Sequence, residues 1–141
     1  MRLVQWFRLI GDRFGVMAIL ALAAITRLWN LGYPKTLVFD ETYYVKDAYT
    51  LGLFGFERNW PDEPNPDFEA GQTDGFLDTA AYVVHPPIGK WILYMGINLF
   101  GPASSFGWRF SVALLGTMAI PLVIAVARRL IGSKVFAALA G

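Results

Sequence analysis

The sequence contains no cysteine. This absence excludes a disulfide-stapled exported domain and any thiolate zinc site. A single histidine, His85, leaves no imidazole cluster for a metal, so only carboxylates could hold a hard cation and no metal site is predicted. An excess of either charge is also missing. Twelve Lys and Arg face eleven Asp and Glu, a net charge of +1, which argues against a nucleic-acid partner. No small-x-small cleavage site follows the first apolar run, Ala18–Ala24, where Thr26, Arg27 and Trp29 come instead. The start therefore does not read as a removable signal peptide.

What is present is apolar surface, gathered in blocks. Hydrophobic residues make up 55% of the chain, above the roughly 45–50% of soluble domains. Five Trp and six Tyr suit membrane–water boundaries, where one end of the ring is dry and the other wet. Residues 1–13, with Arg2, Arg8 and Arg13, read as a basic interfacial segment. Residues 14–31 form a first span, just long enough to cross if Arg27 snorkels beside Trp29. Residues 32–107 are a polar loop, and the stretch 36–90 within it holds ten of the eleven acids. Within the loop, 41–51 and 88–100 read as interfacial helices, and 60–73 as Pro- and Gly-punctuated loop without periodicity. Residues 108–131 form a second span, and 132–141 a basic turn with the start of a third that Gly141 cuts short.

Basic residues before the first span and after the second, with acids between, place both ends in the cytoplasm and loop 32–107 outside the cell. The fold class is thus all-α integral membrane: two complete spans, the start of a third and a large extracytoplasmic loop. The expected location is the plasma membrane.

Three motifs carry candidate chemistry. Asp40-Glu41 stands just outside the first span. One reading makes Asp40 a helix N-cap and Glu41 a dipole-favoured first-turn acid; the other makes the pair a general base at a membrane-facing site. His85-Pro86-Pro87-Ile88-Gly89-Lys90 is either a rigid loop-to-helix junction or a boundary site whose cation holds a lipid phosphate. Arg109, in Trp108-Arg109-Phe110-Ser111, is either a snorkelling anchor or, turned inward, a fork-shaped phosphate ligand.

Together and in this order, FDETYYVKDA, VVHPPIGKW and GWRFSVALLGTMAIPL resemble the protein O-mannosyltransferases, closest to their bacterial branch. The resemblance covers roughly 26–133. It implies a multi-pass glycosyltransferase of the GT-C class that moves mannose from polyprenyl-phosphate mannose to Ser or Thr hydroxyls of exported proteins, with inversion and no further cofactor. By position it implies Asp40 as catalytic base with Glu41 beside it, Arg109 near the donor phosphate, and His85 and Lys90 in a binding or structural role. Because that family runs to many spans, the chain reads as an N-terminal fragment, inactive alone. Two alternatives are another lipid-phosphate-sugar transferase of the same architecture and a non-catalytic membrane anchor. The anchor reading expects Asp40, Glu41 and Arg109 to point apart.

Overall fold

The structure is a computed structural model that describes residues 2–131 and 134–140, with side chains for 13–131 and 135–140. The expected turn at 132–133 and the basic side chains of Arg2, Arg8 and Lys134 lie outside the described residues. Among the described residues six helices follow one another: α1 (Arg2–Leu28), α2 (Glu41–Phe54), α3 (Asn65–Glu69), α4 (Ile88–Phe100), α5 (Ser105–Ile131) and α6 (Lys134–Leu139). Among the described residues there is no strand, only an isolated antiparallel bridge between Arg58 and Ala80. The chain forms two compact units, one from the stretches ending at Trp29 and beginning at Ala113, the other from Asn30–Val112.

In the first unit, Ala23 of α1 packs with Ile120 and Ile124 of α5, joined by Val16, Ile19 and Leu20. Outside this seam the apolar side chains stay uncovered, including Phe14, Met17, Leu22, Leu122 and Leu130. A contiguous bare apolar surface marks a face built for another apolar phase or partner. Among the described residues α5 is the one helix long and apolar enough to cross a membrane. Its 27 residues rise about 40 Å, against about 30 Å of hydrocarbon.

Several boundaries differ from the sequence expectation. From Arg2 on, the basic segment expected at 1–13 and the start of the stretch expected at 14–31 share one helix, with no proline between them, and that helix stops at Leu28. Asn30 adopts a left-handed φ of +53°, a conformation that Asn tolerates better than most residues. The helix expected at 41–51 runs on to Phe54, because Gly52 faces the Tyr94 ring and Gly55, at φ +79°, closes the end. The helix expected at 108–131 begins at Ser105, because the Ser104 hydroxyl accepts the Gly107 N–H and caps the first turn. Residues 60–73 are not all loop: α3 forms there, started by prolines and anchored by the fully buried Phe68.

The second unit has its own core of Leu37, Val45, Ala48, Phe68, Ile97 and Trp108. Phe68 makes edge-to-face contacts with Tyr49 and Trp60. At Gly96 and Gly107, α4 and the start of α5 approach backbone to backbone: a Cβ on Gly96 would stand 2.2 Å from the Gly107 carbonyl oxygen. Gly96→Ala should therefore force the two backbones apart and lower stability by about 1–3 kcal/mol, read as a fall in the thermal midpoint of the detergent-solubilised protein. An unchanged midpoint would mean that the two helices do not touch there.

Candidate active site

The site is built on the turn that leads into α2. Glu41 N–H donates to the Val38 carbonyl (3.0 Å), and the Glu41 carboxylate reaches back to accept the Val38 N–H (3.1 Å). The same carboxylate takes a two-pronged ion pair from Arg109 of α5, Nε to Oε1 at 2.6 Å and Nη2 to Oε2 at 2.7 Å. The remaining guanidinium hydrogens go to backbone carbonyls: Nη1 to Leu31 (3.2 Å) and Pro34 (2.7 Å), Nη2 to Thr36 (3.1 Å). A guanidinium has five N–H donors, and here each has an acceptor. Arg109 thus faces inward, as one sequence reading required, but its donors are taken by Glu41 and the loop. The anchor reading expected the charged groups to point apart, whereas Glu41 and Arg109 meet.

Asp40 contrasts with its neighbour. It occupies the N-cap position of α2, yet its backbone is αR and its side chain makes no capping hydrogen bond. The carboxylate is exposed and has no partner among the described residues. Phe39, just before it, holds a left-handed φ of +49° with its ring 90% exposed. Asp40 lines an open cleft of about 930 Å³, together with Thr42, Tyr43, Lys46, Trp60 and Asn65. The cleft suits an extended ligand, and a carboxylate with free lone pairs at its edge can accept a proton.

The His85–Lys90 segment divides. His85 is exposed and lies against Tyr44, ring centroids 5.6 Å apart, beside a small pocket of about 280 Å³. Lys90, by contrast, is buried. Its ammonium donates to Glu57 at 2.6 Å and Asp47 at 3.0 Å. It ties α4 to α2 and to the chain leaving α2, and two of its three donors are taken by carboxylates. Burial weakens its hold on the proton, but the hydrogen bonds and charges of Glu57 and Asp47 outweigh that and raise its pKa. Among the described residues no group of three His, Asp or Glu could hold a metal ion.

Three cleft residues were not singled out from the sequence: Lys46, Asn65 and Thr42. The Lys46 ammonium donates to the Asn65 side-chain carbonyl, and the Asn65 amide donates to the Thr42 hydroxyl (3.2 Å). Thr42 and Lys46 stand four apart, one helical turn, and that spacing was the available signal. Asn65 lies in the segment read as loop, so its meeting with Lys46 had no sequence signature.

Lys90→Met would leave two carboxylates facing each other in the interior, a change that costs about 3–5 kcal/mol and should appear as a lower thermal midpoint. Because its folded pKa is raised, Lys90's stabilisation is complete below the ordinary value of 10.5 and is lost as pH climbs through the folded value. The deficit of Lys90→Met should accordingly be constant from neutral pH up to about 10 and shrink above it.

The family model described as dolichyl-phosphate-mannose-protein mannosyltransferase matches residues 17–141. The polyprenol-phosphate-mannose–protein mannosyltransferase of Mycolicibacterium smegmatis is 38% identical over 128 residues, covering 87% of this chain and 21% of the relative. Its counterpart in Mycobacterium tuberculosis is 36% identical over 123 residues, covering 85% and 20%. Protein O-mannosyl-transferase 1 of Danio rerio is 29% identical over 123 residues, covering 76% and 14%. The chain spans about a fifth of the length of the bacterial relatives, and no solved structure matches it. With the model matching nearly the whole length, this chain belongs to the dolichyl-phosphate-mannose-protein mannosyltransferase family.

Proposed function

We propose that this chain carries the catalytic carboxylate of a membrane-bound protein O-mannosyltransferase, which moves mannose from polyprenyl-phosphate mannose to Ser or Thr hydroxyls of exported proteins. The observation that carries the proposal is the division of labour in Asp40-Glu41. Glu41 is locked to Arg109 and the Val38 N–H, while Asp40 is exposed, unpartnered and on the wall of the cleft. The relatives' names give the donor and the acceptor class.

In this reading α1 and α5 cross the plasma membrane, with both ends in the cytoplasm and loop 32–107 on the outer side. The bare apolar faces of α1 and α5 supply the lipid contact, and the basic residues Arg128 and Arg129 at the end of α5 fit the cytoplasmic side. Helix α4, with Ile88, Trp91, Met95 and Leu99 exposed along one stripe, rests at the outer interface.

The chemistry follows from the inventory. Phosphate leaves readily, so one base is enough. Asp40 takes the proton as the acceptor hydroxyl attacks the anomeric carbon on the face opposite phosphate, and the configuration inverts through an oxocarbenium-like transition state. Glu41 and Arg109 act as positioning residues that hold the turn carrying Asp40. Asp40→Asn in the full-length enzyme should lower mannosyl transfer at least about 10²-fold and leave donor binding unchanged. Transfer at the unaltered rate would refute Asp40 as the base.

A further inference from the structure

A departing phosphate needs a cation. In the breaking step the electron pair of the bond between the anomeric carbon and the bridging oxygen passes to that oxygen, while the new carbon–oxygen bond forms and the hydroxyl proton goes to Asp40. The phosphodiester becomes a monoester and gains negative charge. A cation beside it therefore counts for more in the transition state than in the bound donor.

The cations of the second unit are unequally free. Each Arg109 N–H has an acceptor. Lys90 lies between two carboxylates. Arg58 also lines the cleft and its Nε has no hydrogen-bond partner, but its Nη1 is paired with Asp78 at 2.8 Å, and its guanidinium carbon sits 3.6 Å above the Phe54 ring centroid. Lys35 is exposed and does not line the cleft. Lys46 also lines the cleft, and it alone of the cations there has no carboxylate within ion-pair distance: it is only 4% exposed and has a neutral amide oxygen as its hydrogen-bond partner. An ammonium has three donors, so two remain. A buried charge with no carboxylate directly paired to it is costly to keep, and a bound anion would relieve that cost.

Spacing agrees. Asp40, at the N-cap, and Lys46, on α2, are six residues apart, about 9 Å along the helix axis at 1.5 Å per residue and about 120° apart around it, and both line the cleft. A line from base through hydroxyl, anomeric carbon and bridging oxygen to a phosphate oxygen and its cation contains two hydrogen bonds of about 2.8 Å and a near-attack gap of about 3 Å. With the covalent bonds between, that distance is on the order of 10 Å.

We propose that the Lys46 ammonium, beneath the cleft that Asp40 lines, is the ligand of the donor's phosphate, with Asn65 and Thr42 orienting it. This rests on reading the cleft as a sugar-phosphate transfer site. Burial pulls the Lys46 pKa down, against the opposing charges of Asp47 and Glu69, as expected for a cation whose counter-ion arrives with the substrate.

The test uses the full-length enzyme with a short-chain polyprenyl-phosphate mannose, a Ser/Thr peptide, and polyprenyl phosphate as competing product. Wild-type enzyme is assayed first; if it moves no mannose from this donor, the proposed function itself fails, before any variant is read. Given wild-type transfer, Lys46→Met should lower kcat/KM for the donor about 10²-fold or more, weaken inhibition by polyprenyl phosphate at least tenfold, and leave the peptide KM unchanged. Donor kinetics and product inhibition within twofold of wild type overturn the assignment. If Lys46→Met does not fold, Lys46→Arg decides. It keeps the charge but moves its centre, so a donor KM raised at least threefold with unchanged peptide KM supports the assignment, and an unchanged donor KM overturns it.

Discussion

The second unit depends on one ion pair, Glu41 with Arg109, across 68 positions of sequence. The loop between α1 and α2 contains neither helix nor strand, so its carbonyls need partners from elsewhere. Leu31, Pro34 and Thr36 find theirs in a single guanidinium, which also grips both oxygens of Glu41. Charge-assisted bonds of this kind are roughly twice as strong as neutral ones, and the planar fork fixes direction as well as distance. Lysine could supply the charge but not the five directed donors. The arrangement also separates two adjacent acids that sequence alone treats alike. Once Glu41 is committed to the guanidinium and the Val38 N–H, Asp40 is the carboxylate of the pair left without a partner among the described residues.

The other cations follow a similar logic. Lys90 is neutralised by two acids, one on α2 and one on the segment after it, so the connection from α2 through α4 is made where water is excluded. Arg58 lies over Phe54, with Phe56 and Phe76 further out, and keeps the bridge between residues 58 and 80 close to the end of α2. These groups hold the walls of the cleft still.

Much of this was legible in the sequence, and the remainder was hidden for identifiable reasons. Blocks of apolar residues marked α1 and α5, Pro86-Pro87 marked the start of α4, and the acid pair marked α2, because each is a local signal. Helix ends were less legible. The Ser104 cap and the left-handed Asn30 depend on backbone geometry that other residues at those places could also have adopted. The fate of Lys90 was invisible, since its partners Asp47 and Glu57 lie 43 and 33 positions away. Arg109 was read as either anchor or phosphate ligand. The structure places it on Glu41 and on three loop carbonyls, and those carbonyls carry no side-chain signature.

The turn at Asp40 shows how these constraints act in series. Phe39 is held with a left-handed backbone, which for a bulky residue costs about 1–3 kcal/mol and persists only where surrounding contacts over-determine it. Its exposed ring provides no such contact. The turn's hydrogen bonds do: Glu41 N–H to Val38 O, and Val38 N–H to the Glu41 carboxylate. If Phe39 relaxed to a right-handed conformation, Glu41 would lose Val38 and Asp40 would turn away from its present place on the cleft wall. Glu41 can sustain the strained residue because Arg109 holds its carboxylate fixed. The orientation of Asp40 is therefore set from α5, through Arg109, then Glu41, then the turn at Phe39, and a fault at any link would reach it.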